Sequence, residues 1–300
     1  MPTPTREPTL NEVLVVIGSG GMGSSIAHRI GAGKVIVLAD VRPEQLAAAA
    51  EQLSGDGHRV LTFEVDVTSR RSVAALAEFA DDAGPVMKVA HTAGLSPEQA
   101  SAEAVLAVDL VGVALVLEEF ERVICPGGAG VVISSMAGHM YPPFDADVER
   151  QLALTPADEL LGLEVCSLDV ITSSQVAYPF AKRANLVRVA AAAPGWGSRG
   201  ARINSISPGV IATAMGRQEL AGPSGQLIQA MIDASPAGRL GTPDDIAAIA
   251  ELLLGPSAAF ITGTDVLVDG GATAAIRSGV FEQAGVEIRE AAIDPAARSL

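Results

Sequence analysis

The passage from Val13-Leu14-Val15-Val16-Ile17 into Gly18-Ser19-Gly20-Gly21-Met22-Gly23, and on into residues 24–30, constrains this chain more than any other feature. The first segment is apolar and largely β-branched, which is strand composition at strand length. The last reads as a helix. A strand that runs straight through a glycine loop into a helix is the setting in which Gly-x-Gly-x-x-Gly carries a mechanism. Gly18 permits the tight turn, Gly20 or Gly21 lets backbone approach a pyrophosphate, and Gly23 lets the helix pack on the strand. Residues 18–23, with Ser19 and Met22, are therefore a predicted dinucleotide loop whose anion rests on the helix N-terminus. A glycine-rich turn without a ligand satisfies the same pattern.

A second apolar run, Val35-Ile36-Val37-Leu38-Ala39, ends in Asp40. A carboxylate at this distance from the first glycine accepts hydrogen bonds from the adenosine ribose hydroxyls and repels a 2′-phosphate, so it predicts NAD rather than NADP. Arg42, two residues on, weakens that preference. The next run, Val60 to Val65, ends in Asp66-Val67, where the carboxylate either accepts from an adenine amino group or caps the helix that follows Thr68 and Ser69.

Tyr178 and Lys182 stand one helical turn apart in a chain with two tyrosines and three lysines. On a helix over residues 173–195 they project from one face. An ammonium held beside a phenol favours the phenolate, so the spacing predicts a Tyr178 pKa lowered toward the working pH and a tyrosine able to act as acid or base. A packed tyrosine beside a solvated lysine fits the same spacing.

Composition sets outer bounds. Three hundred residues, 49% of them apolar, suffice for one large α/β domain, and a formal charge of −15 argues against nucleic acid or anionic membrane as partner. No apolar run is long enough to span a bilayer, and the N-terminus lacks a basic stretch followed by an apolar core, so a soluble cytoplasmic protein is expected. Cys125 and Cys166 form no disulfide framework, the four histidines are scattered, and no metal site is expected.

Further βα alternation predicts helices from Pro43 to Leu53, Ser72 to Asp82, Pro97 to Arg122 (capped by Ser96) and Asp244 to Leu254. Strands are predicted at Val86 to Ala90, Val131 to Ile133, Arg202 to Ser207 and Asp265 to Val268. Such a chain builds a Rossmann-type, doubly wound parallel sheet of about seven strands, with its ligand beyond the strands' carboxyl ends. One domain is expected over residues 11–271, between a flexible arm at 1–10 and a C-terminal tail at 272–300 that is acidic and loosely structured from about residue 275.

The ordered motifs resemble those of the short-chain dehydrogenase/reductase family over residues 13 to 271. They are the glycine loop, the acid after the second strand, Asp66-Val67, His91-Thr92-Ala93-Gly94, Ile133-Ser134-Ser135-Met136-Ala137-Gly138, Tyr178 to Lys182, Arg202 to Gly209, and Val268-Asp269-Gly270-Gly271. The resemblance implies a substrate-orienting hydroxyl at Ser135, the proton donor or acceptor at Tyr178, and nicotinamide ribose contacts from Lys182. It places Ala93 and Gly94 in the cofactor site, with Pro208, Gly209, Ile211 and Thr213 along the nicotinamide and its phosphates. The implied reaction interconverts a secondary alcohol, such as a hydroxysteroid, and a ketone, in a homodimer or homotetramer. An NADPH-preferring carbonyl reductase and a non-catalytic dinucleotide sensor are the alternatives.

Four departures stand out. The glycine loop is one residue shorter than usual in the family. Asp109 replaces the customary Asn of the fourth long helix, where an ionised carboxylate would partly neutralise Lys182 and displace alcohol oxidation to alkaline pH. His91 also departs from the pattern. Between Ser135 and Tyr178 the chain carries an insertion over about residues 140–177, similar to that of bacterial 3α-hydroxysteroid dehydrogenase/carbonyl reductases. Its Leu152, Leu154, Leu160, Leu161 and Leu163 either line an apolar substrate pocket or pack onto the domain.

Overall fold

The computed structural model describes residues 12–98 and 100–279. Seven strands form one sheet: β1 (Val13–Ile17), β2 (Val35–Asp40), β3 (Arg59–Glu64), β4 (Val86–His91), β5 (Ala129–Ile133), β6 (Arg202–Pro208) and β7 (Asp265–Val268). All pairings are parallel, in the order β3-β2-β1-β4-β5-β6-β7, which is the doubly wound sheet the sequence predicts. β1 and β2 read as unbroken apolar runs because they are buried on both faces. Val13, Val15 and Ile17 enter one core layer; Leu14 and Val16 enter the other.

The helices are α1 (Gly21–Ile30), α2 (Pro43–Gly55), α3 (Arg70–Ala83), α4 (Ala102–Val105), α5 (Val113–Val123), α6 (Met136–Met140), α7 (Ala146–Leu154), α8 (Ser174–Ser198), α9 (Ala214–Ala221), α10 (Gly225–Ala234), α11 (Pro243–Leu254) and α12 (Ala272–Arg277). α1, α2 and α11 cover one face of the sheet, and α3, α5 and α8 the other. α11 starts where Thr242 and Asp245 form a reciprocal capping box.

Two expectations about helices are corrected. The helix predicted from Pro97 begins at Ala102, capped by the Ser101 hydroxyl, while the Ser96 hydroxyl accepts from the Glu98 amide at 3.3 Å and donates to Glu219. Between α4 and α5 the chain is also π-helical over Leu106–Gly112, with Asp109 at its centre. The C-terminal tail, expected to be loose from about residue 275, stays helical to Arg277 as α12, where Arg277 donates to the His139 carbonyl at 2.8 Å. The remaining tail, 280–300, and the arm, 1–10, lie outside the described residues.

The insertion packs against α5, α8 and the π-helical turn, and its residues line neither of the two cavities described below. Leu152 and Leu160 are fully buried in the main core and Leu163 packs against it, whereas Leu154 and Leu161 are exposed. Arg188, buried on α8, donates to the Leu152 and Thr155 carbonyls at 2.8 and 2.9 Å and pairs with Glu118 at 3.3 Å. Arg70 joins Asp158 of the insertion to Glu118 and Glu119 of α5. No helix among the described residues is long and apolar enough to cross a membrane.

Candidate active site

Strand register brings the cofactor motifs to one edge. Ile17 pairs with Ala39 on one side and His91 on the other, so Gly18, Asp40 and Thr92 leave the sheet together. The Thr92 and Ala93 amides donate to the Ile17 carbonyl at 2.7 and 2.9 Å, stitching the loop after β4 to the glycine loop. A cleft of about 610 Å³ opens above them, and Gly18, Gly20, Gly21, Met22, Gly23, Asp40, Asp66, Val67, Ala93, Gly94 and Thr213 all line it.

The glycines divide their tasks as follows. Gly18 has φ +101, and a Cβ there would lie 2.6 Å from the Ala93 nitrogen. A Cβ on Gly23 would lie 1.9 Å from the Gly18 carbonyl oxygen, so Gly23 is where α1 packs on the loop. At Gly20 the nearest atom to a Cβ is the Gln45 amide nitrogen at 3.8 Å, so this is the position open to a close ligand. Donors at the start of α1 face that opening, which suits an anion.

Ser19 is buried and acts on Asp40. Its amide and hydroxyl donate to Asp40 Oδ2 at 2.7 and 2.8 Å, while the Arg42 amide donates to Oδ1 at 3.0 Å. Burial works against the charge, but these bonds and the Arg42 guanidinium, 3.5 Å away, hold the Asp40 pKa below its ordinary value. Asp66 spends Oδ1 on the Thr68 amide and hydroxyl at 2.9 and 2.7 Å, so the carboxylate is at least partly a turn cap. Gly209 and Ile211 line a separate cavity of about 190 Å³ between β7 and α10, and Pro208 borders neither space.

The second cluster joins β5, α8 and the π-helical turn. Ser135 caps α6, its hydroxyl accepting from the Ala137 amide at 3.1 Å, and it lies close enough to the Tyr178 phenol to favour the ionised form. The Lys182 ammonium lies 5.4 Å from the Tyr178 ring centroid and 3.2 Å from Asp109 Oδ1. Asp109 is fully buried, and both its oxygens accept from the Leu95 amide at 3.2 Å. Glycine is required at Gly94, since a Cβ there would sit 2.6 Å from Asp109 Oδ1 and 3.3 Å from the Lys182 ammonium.

This geometry corrects the expected electrostatics of Tyr178. Burial raises its pKa, Lys182 lowers it, and Asp109 and Glu219 raise it again; the outcome lies above the ordinary phenol value. Burial disfavours the Lys182 ammonium, but Asp109 and the phenol raise its pKa above that of a free lysine. Burial likewise pushes the Asp109 carboxyl up against the pull of Lys182. A single neighbouring cation is outweighed by loss of water around the phenol.

Several neighbours have no role assigned from the sequence alone. The Ser134 hydroxyl donates to the Lys182 carbonyl at 2.8 Å, and Asn185 Nδ2 donates to the Asp109 carbonyl, freed by the π turn, at 2.8 Å. A buried asparagine one turn beyond Lys182 is the signal that would have found the latter. His91, buried on the same face, has neither ring nitrogen hydrogen-bonded among the described residues, and burial with Lys182 nearby depresses its pKa to about 3.

The family description "short chain dehydrogenase" matches residues 11–146, and "Enoyl-(Acyl carrier protein) reductase" matches residues 152–273. The "Short-chain dehydrogenase/reductase bsc3" of Alternaria brassicicola is 40% identical over 262 residues, covering 87% of this chain and 95% of that protein. The "3-alpha-hydroxysteroid dehydrogenase/carbonyl reductase" of Comamonas testosteroni is 26% identical over 82% of this chain and 99% of its own length. A short-chain type dehydrogenase/reductase from Mycobacterium ulcerans shares the fold, with a TM-score of 0.69 at 23% identity, over 88% of this chain and 90% of that one. The chain therefore belongs to the short-chain dehydrogenase/reductase family, oxidoreductases that act on alcohols and ketones with a nicotinamide dinucleotide.

Proposed function

We propose that the protein interconverts a secondary alcohol and its ketone with NAD, using Tyr178 as acid and base. The observation that carries this reading is the Lys182 ammonium 5.4 Å from the Tyr178 ring, with Ser135 close to the phenol, next to Gly94 at the end of the long cleft. A dinucleotide fits the residues present. The opening at Gly20 admits a pyrophosphate, α1 offers it amide donors, and Asp40 presents a stabilised carboxylate at the rim. When bound, the nicotinamide accepts or supplies the hydride.

The residues of the chain handle the oxygen and its proton. Ser135 holds the carbinol oxygen beside Tyr178. In oxidation the Tyr178 phenolate removes the hydroxyl proton as hydride leaves the carbon; in reduction the phenol donates to the developing alkoxide. With its raised pKa, Tyr178 is protonated at neutral pH, the form needed for reduction. Lys182 supports the phenolate and offers hydrogen bonds to the ribose, and Asp109 sets how much of the lysine charge reaches the phenol.

Asp40 supports NAD over NADP because an ionised carboxylate repels a 2′-phosphate. A second reading, an NADPH-preferring carbonyl reductase, is favoured by Arg42, whose side chain is 66% exposed beside Asp40. The test follows nicotinamide absorbance with NAD and NADP separately and a panel of secondary alcohols that includes 3-hydroxysteroids. Turnover by the wild type, lost by at least about two orders of magnitude in Tyr178→Phe while NAD still binds, is the expected result. Undiminished turnover in Tyr178→Phe would refute the role of the phenol.

A further inference from the structure

α9 lies over the dinucleotide cleft and contributes Ala214, Met215 and Gln218 to its wall. The next residue, Glu219, reaches the loop after β4, where the hydroxyl of the fully buried Ser96 donates to Glu219 Oε1 at 2.6 Å. A second acid on that loop, Glu98, accepts from Ser224 Oγ at 2.7 Å. The fit is close, for a Cβ on Gly222 would lie 2.7 Å from Glu98 Oε2. Among the described residues no Lys or Arg forms an ion pair with either acid. Burial and Glu98 raise the Glu219 pKa, Ser96 opposes them, and the charge of Glu219 reaches the Tyr178 phenol.

Met215 and Glu219 stand one turn apart on α9, and Met215 lines the cleft, so Glu219 brings an acid with no ion-pair partner among the described residues to the end of the cleft beside the loop after β4, and it sets the sign of the potential there. A ligand anion there meets two carboxylates, whereas a ligand donor meets an acceptor with a free lone pair. Resting on the alcohol dehydrogenase reading, we propose that Glu219 is a specificity-determining residue. It accepts a hydrogen bond from a second hydroxyl or an ammonium on the substrate, and it disfavours substrates bearing a carboxylate, phosphate or sulfonate near the carbinol carbon.

The test compares 4-aminocyclohexanol, 1,4-cyclohexanediol, cyclohexanol and 4-hydroxycyclohexanecarboxylate in wild type, Glu219→Gln and Glu219→Asp with saturating NAD. Both kcat/KM and calorimetric Kd are measured at one pH. The quantity read is the ratio of the ammonium to the carboxylate compound, which cancels any general loss in a variant. The wild-type ratio is expected to favour the ammonium by about tenfold or more, to collapse in Glu219→Gln and to persist in Glu219→Asp. A wild-type ratio near one, or one unchanged in Glu219→Gln, overturns the proposal even if the variants fold poorly, since the wild type alone decides the first point. Charge discrimination in binding without turnover of any compound sinks the dehydrogenase reading and upholds Glu219 as the discriminating residue. Absence of binding by all four overturns both.

Discussion

Two buried aspartates stand at the carboxyl edge of the sheet, and their surroundings treat them in opposite ways. Asp40 in the dinucleotide half receives two backbone amides and a hydroxyl, all from Ser19 and Arg42, and its pKa falls. Asp109 in the catalytic half relies on one amide and on a lysine 73 residues away, and its pKa rises. Fixed dipoles hold the first as a permanent anion, whereas the charge of the second depends on a partner that titrates with it. The comparison separates two tasks: Asp40 is suited to reading a ligand at any working pH, and Asp109 to adjusting the acid–base pair.

The largest effect is expected where the catalytic half is held by distant contacts. Arg188→Ala would leave the Leu152 and Thr155 carbonyls and Glu118 without their buried donor, removing the seat of the insertion on α8. Glu118 keeps Arg70 and the Ala157 amide, so the cost is that of the two unsatisfied carbonyls, about 1–3 kcal/mol each, read as a lower urea midpoint at constant slope. A change within about 0.5 kcal/mol would show that the apolar contacts of Leu152 and Leu160 seat the insertion unaided.

Asp40→Ala challenges the other side of the comparison. Removing a charged acceptor should weaken NAD binding by about one to two orders of magnitude while NADP binding changes little or improves, as measured by separate fluorescence titrations. If the ratio of the two affinities stays put, Arg42 and not Asp40 selects the cofactor.

The two halves also differ in how much of them can be read from sequence. The glycine loop, Asp40 and the Tyr178–Lys182 pair are legible because each works through neighbours within one turn or one βαβ unit. The seat of the insertion is not. It depends on Arg188 meeting Leu152 across 36 positions and Arg70 meeting Asp158 across 88. Its leucines give no sign of which will be covered, and Leu152 and Leu154, two residues apart, end fully buried and 70% exposed. For Tyr178 the spacing correctly brings Lys182 to the ring. The direction of the pKa shift is set chiefly by burial, which belongs to the packed interior and leaves no local trace, whereas the opposition of Asp109 to Lys182 is predicted from the motif. The π turn at Asp109 and the Asn185 amide on the Asp109 carbonyl likewise interrupt what reads in sequence as one continuous helix.

Asp109→Asn is the subtlest change and the one that tests the comparison most directly. If Asp109 is ionised in the working enzyme, the amide removes a negative charge that now raises the pKa of both Tyr178 and Lys182. The lysine charge then acts on the phenol unopposed and favours the phenolate. The acidic limb of kcat/KM for alcohol oxidation should move to lower pH by about one unit, equivalent to about 1.4 kcal/mol. The alkaline limb should move the same way, because Lys182 loses the partner that holds its proton against burial. Affinity for the alcohol should hold, since the Asp109 side chain contacts Leu95 and Lys182 and not the Ser135–Tyr178 pair. A profile that does not move has a definite meaning: burial has already left Asp109 protonated. The amide would then replace a neutral acid of nearly the same shape, and Lys182 would act on Tyr178 at full strength in the native enzyme.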